Sequence, residues 1–204
     1  MFDEATIDNY NAYIFEFDDV LYPEKDYLLQ VYYLFAQFME YTVQIDAAEM
    51  LNFMKAQYEQ DGAANIFDKT KSQFGLEEQY RLNFDLLNRN AKLPLKLLMF
   101  PKMLEFLKKL VQSGKQVFLL SSGNPEKQLN KLRQLEWEGL AQDIKVYFAE
   151  EISEQPDPVR IEYVLQQHGL QADQAMFIGK DIADENMADA AGVFFLNVEE
   201  LLLP

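Results

Sequence analysis

Tyr13-Ile14-Phe15-Glu16-Phe17-Asp18-Asp19-Val20-Leu21-Tyr22-Pro23 runs from apolar residues into a cluster of carboxylates and then a proline. Residues 13–17 are too few for an ordinary helix. They are bounded by charge, which predicts a buried strand that delivers its acids at the carboxyl end. The same texture recurs at residues 116–120 (QVFLL), 144–148 (IKVYF), 175–178 (AMFI) and 193–196 (VFFL).

Helical patterns separate these later runs. Met103, Phe106, Leu107, Leu110 and Val111 follow one helix face, with Gly114 past its end. Asn124-Pro125 and Asp157-Pro158 each offer a capping side chain followed by proline, a helix-start signal. Ile161, Val164 and Leu165 continue the second of these, and Gly169 stops it. Strand and helix alternating over residues 98–196 predict an α/β core, a Rossmann-like parallel sheet covered by helices.

Residues 23–97 carry helical patterns only. Leu28, Val31, Phe35 and Phe38 line one face, Met50, Met54 and Tyr58 another, and Leu76, Tyr80, Phe84 and Leu87 a third. Asp46 with Glu49 has the look of a capping box. Such stripes are what helix–helix packing requires. The expected organisation is a core from residues 1–21 and 98–204, with an inserted all-helical cap over 22–97.

Four segments, in order, resemble the motifs of the haloacid dehalogenase superfamily, in particular phosphatase-like members with a helical cap. Glu16-Phe17-Asp18-Asp19-Val20 stands where that family has Asp-x-Asp-x-Thr/Val, and Leu21-Tyr22-Pro23 continues it as some phosphatase-like members do. Ser121-Ser122-Gly123 resembles the Ser/Thr that ends a second strand. Gln155-Pro156-Asp157-Pro158 resembles Lys-Pro-x-Pro. Gly179-Lys180-Asp181-Ile182-Ala183-Asp184 resembles Gly-Asp-Ser-x-x-Asp. The resemblance implies a nucleophilic carboxylate at Glu16 and an acid/base at Asp18. It implies phosphate contacts from Ser121, Ser122, Gln155 and Lys180. It also implies Mg2+ on Glu16, Asp18 and Asp184, with Asp181 as an alternative ligand.

Three of these positions depart from the family pattern. Glu16 carries one methylene more than Asp, and displacements of about 1 Å can cost ~100-fold in rate. Gln155 brings no positive charge. Lys180 puts a cation where a metal-binding carboxylate is expected, so magnesium should bind weakly or not at all, with the ammonium near Glu16 or Asp184. Three readings follow: a hydrolase acting on or binding a small phosphorylated molecule, a pseudoenzyme that keeps the pocket for binding, and a metal-free dehalogenase-like hydrolase. The last lacks the Asp and Lys that such enzymes use. Glu16, Asp18, Ser121, Gln155, Lys180 and Asp184 are expected to line one cleft.

A formal net charge of -16 disfavours nucleic acid and anionic lipid as partners. Without cysteine there is no disulfide or thiolate chemistry, which suits a cytoplasmic protein. MFDEATIDNY has no basic start followed by an apolar run and is not expected to be a secretory signal. No apolar stretch approaches the ~20 residues of a membrane span. His168, at a helix end, reads as a surface residue favoured by the helix dipole.

Overall fold

A computed structural model of the protein describes residues 9–202. Most of the opening segment read above therefore lies outside the described residues. Five parallel strands form one sheet in the order β3-β2-β1-β4-β5. They are β1 (Ala12–Phe15), β2 (Gln116–Ser121), β3 (Ile144–Phe148), β4 (Ala175–Gly179) and β5 (Phe194–Asn197). The predicted strands are all present, with ends matching or shifted by at most two residues.

The register pairs Ile14 with Phe118 on one side and with Phe177 on the other. These strands alternate in facing direction but are apolar on both faces, as a sheet covered by helices on both sides requires. On one face Ala12, Ile14, Phe118, Leu120 and Phe177 pack against Ile161, Val164, Met187 and Ala188. On the other, Tyr13 and Phe15 set their rings edge-on to Phe106, at 5.9 and 6.1 Å between centroids.

The crossover helices begin close to the positions that the sequence marks. After α1–α4, described below, α5 (Pro101–Gln112) precedes β2, and α6 (Pro125–Gln134) follows it. Asn124 Oδ1 accepts from the Lys127 amide at 3.0 Å. A short α7 (Ala149–Ile152) leads into α8 (Val159–His168), where Asp157 Oδ1 accepts from the Val159 amide at 2.9 Å. Gly169 ends α8 at φ 64°, in the left-handed region that glycine adopts without steric cost. Helix α9 (Ile182–Ala190) follows β4, and α10 (Val198–Leu202) ends the described chain.

The chain divides into two compact units. One holds residues 1–23, 98–128 and 135–204, and the other residues 24–97 and 129–134. Within the second are α1 (Glu24–Val43), α2 (Ala47–Asp61), α3 (Ile66–Phe74) and α4 (Tyr80–Asn90). Phe35, Phe67 and Phe84 meet at its centre, with ring centroids 5.2 to 6.0 Å apart. Asp46 caps α2 by accepting from the Glu49 amide at 2.8 Å. The last turns of α6 bring Lys131 into this unit. Its side chain is fully buried, 2.8 Å from Glu24 and above the Tyr27 ring. No helix among the described residues is long and apolar enough to cross a membrane.

Candidate functional site

The strand order reverses at β1: the chain adds β2 and β3 on one side, then returns to add β4 and β5 on the other. In such sheets a crevice opens beyond the carboxyl ends of the strands at the reversal. Glu16 follows β1 there, and its amide still donates to Ile178 of β4 at 2.9 Å. Lys180 follows β4.

A cleft of about 450 Å³ lies at this point, lined by Glu16, Asp18, Asp19, Ser122, Lys180, Asp181 and Asp184, and by Glu150, Glu154 and Arg160 from the α7–α8 region. Seven of its thirteen lining residues are carboxylates and only two are cations.

Glu16 is 8% exposed. Its Oε1 accepts from the amides of Phe17 (3.0 Å) and Ser122 (3.1 Å), and Oε2 pairs with the Ser122 hydroxyl at 2.9 Å. Burial outweighs these donors, and the nearby Asp184 carboxylate adds to it. The Glu16 pKa is pushed up to about 8, so the carboxyl is largely protonated at neutral pH.

Asp18 is held on both oxygens. Tyr22 donates to Oδ1 at 2.6 Å, and Gln128 Nε2 donates to Oδ2 at 2.8 Å. Asp184 Oδ2 accepts from the Lys180 amide at 2.8 Å and the Asp181 amide at 3.4 Å. Burial raises its pKa as well. This approach depends on Gly179, where a Cβ would stand 2.6 Å from Asp184 Oδ2. Asp181 caps α9, its Oδ1 accepting from the amides of Ala183 (2.9 Å) and Asp184 (3.1 Å).

The structure corrects four expectations. Lys180 pairs with Asp19 at 2.8 Å, a partner the sequence reading did not name. Asp19 holds that position with φ 58°, a left-handed conformation that Asp adopts more readily than most residues. Ser121 is fully buried and does not line the cleft; its hydroxyl has no partner among the described residues. Strand alternation points it to the face opposite Ser122. Gln155 is exposed and also lies outside the cleft wall. His168 is half-buried, packed on Phe118 at 4.4 Å and bonded to the Tyr147 hydroxyl at 2.7 Å. Burial first, then Lys145, lowers its pKa, the reverse of a dipole-favoured charge.

Two residues that sequence reading did not single out belong to the site. Gln128, 2% exposed, bridges Asp18 and the Ser122 carbonyl. Arg160, 3% exposed, donates through Nε and Nη2 to the Ser153 carbonyl and pairs with Glu150 at 3.3 Å. Both carried a readable signal. Arg160 shares the helical phase of Ile161, Val164 and Leu165, and Gln128 that of Leu132 and Leu135. A polar residue in an apolar phase is buried for a reason.

The resemblance implied magnesium, and these residues do not fit it. Among the described residues no three His, Cys, Asp or Glu side chains stand together so as to hold one metal ion. Asp18 and Asp184 already accept protein donors, and Asp181 is spent on a helix cap. A magnesium shell needs near-octahedral oxygen ligands.

A family profile of haloacid dehalogenase-like hydrolases matches residues 13–198. Among solved structures, the chain is similar to a HAD hydrolase, YfnB, of Bacillus subtilis bound to magnesium. That match has TM-score 0.62 and 16% identity, and covers 92% of this chain and 86% of the other. It is also similar to a HAD family hydrolase of Deinococcus radiodurans with bound phosphate and sodium, with TM-score 0.58, 16% identity and coverage of 93% and 80%. A third is the UTR4 protein of Saccharomyces cerevisiae, with TM-score 0.55, 15% identity and coverage of 92% and 90%. At such identities the likeness is one of fold. No curated protein matches the chain.

Proposed function

This chain belongs to the haloacid dehalogenase-like hydrolase family, and we propose that it is a member whose pocket binds a small ligand without turning it over. One observation carries this reading: the motif carboxylates are engaged by the protein itself. Glu16, in the nucleophile position, is bound by three donors and largely neutral near pH 7. A neutral carboxyl is a poor nucleophile. Asp18 would have to give up Tyr22 and Gln128 to reach a leaving group. Lys180 is occupied by Asp19.

Turnover of a phosphorylated molecule, the family's implied chemistry, finds less support. Carboxylates dominate the cleft, and phosphate brings further negative charge. At 4 Å and an effective dielectric near 20, each like-charge pair costs about 4 kcal/mol.

The test is release of phosphate from p-nitrophenyl phosphate, with and without millimolar magnesium, by the wild type and by a variant combining Glu16→Asp with Lys180→Asp. The wild type is expected to be inert under both conditions. Magnesium-stimulated turnover by the wild type would overturn the proposal.

A further inference from the structure

We infer that the cleft takes an amino-acid-like zwitterion, a small molecule with a carboxylate for Arg160 and at least one ammonium for the carboxylates around Glu16 and Asp184. This deepens the reading of the cleft as a binding site and rests on it.

Arg160 is the first observation. A guanidinium presents five N–H donors in a fixed fork. Nε and Nη2 are used on Ser153 and Glu150, while Nη1 makes no hydrogen bond to any described residue. The side chain is 97% buried yet belongs to the cleft wall. A charged donor of this kind gains most from an anionic acceptor, and a planar carboxylate matches its geometry. Glu150 and Ser153 fix the guanidinium from behind, so little entropy is lost when a ligand arrives.

The second observation is the surrounding charge. Carboxylates outnumber cations seven to two, and each cation already has an acidic partner. An ammonium group beside Glu16 and Asp184 would meet opposite charge on every side of that wall. A purely anionic ligand would gain one contact at Arg160 and face the whole acidic wall. A purely cationic ligand would satisfy the wall and leave Arg160 as it is. A net-positive zwitterion serves both.

Calorimetric titration of the full chain at pH 7 with L-lysine, cadaverine and glycerol phosphate tests this. Cadaverine differs from lysine only by loss of the carboxylate. Lysine is expected to bind at least about tenfold more tightly than cadaverine, the advantage of one charge-assisted hydrogen bond. Arg160→Met, combined with Glu150→Gln so that no acid is stranded, is expected to erase that advantage. Glycerol phosphate is expected to bind more weakly than either. Equal binding of lysine and cadaverine by the wild type would overturn the inference, as would no binding of either or preference for glycerol phosphate. Those results concern the ligand alone. The binding-without-turnover reading fails separately, on phosphate release.

Discussion

Glu16 concentrates the consequences of the site in one side chain. Its carboxyl is protonated in the folded protein up to about pH 8, whereas an unfolded Glu loses its proton near pH 4.5. Between these values the native state holds the extra proton. Stability contributed by this group is therefore complete below about pH 4.5 and lost as pH rises towards 8, by at most about 1.4 kcal/mol per pH unit. Asp184, also raised, acts with the same sign. Glu16→Gln mimics the neutral acid. Urea unfolding is expected to show it equal to the wild type at pH 5 and more stable at pH 9; an identical pH dependence of the two would contradict the buried-acid assignment. Gly179→Ala probes the neighbouring contact. Its Cβ would fall 2.6 Å from Asp184 Oδ2. A loss of about 1–3 kcal/mol, with unchanged m-value, is expected from such overpacking.

At the level of elements, the placement of Glu16 and Lys180 at strand ends was legible, because short apolar runs bounded by charge leave few alternatives. What followed those ends was not. Ser121 and Ser122 read alike in sequence, and only the pairing of Phe15 with Leu119 fixes which of them faces Glu16's side. Lys180 found Asp19 because Asp19 adopts φ 58°, which no neighbouring residue type announces. Arg160 and Gln128 were readable in principle as polar residues in apolar phases, as was Lys131. Lys131 makes the clearest element-scale prediction. Removing it strands Glu24 beside a buried void, and Lys131→Ala is expected to cost about 2–4 kcal/mol, less than a fully buried pair because Glu24 is part exposed. Thermal denaturation of Lys131→Ala against Lys131→Met with Glu24→Gln checks this, the double variant being expected to recover most of the loss.

Over the whole molecule, the chain keeps the α/β core of this family. The sheet order, the reversal at β1 and the helices around it place acids where the fold always offers a ligand site. The sequence carried that architecture through strand–helix alternation over half the chain. It did not carry the hydrogen bonds that commit Asp18, Asp184 and Asp181 to protein donors, since those depend on partners such as Gln128, 110 residues away from Asp18. If the pocket binds without turnover, as proposed, these commitments leave no magnesium shell. Titration of the wild-type chain with magnesium chloride, followed by calorimetry at pH 7, tests this. No saturable binding is expected in the millimolar range. A single saturable site, lost in Asp184→Asn, would contradict it.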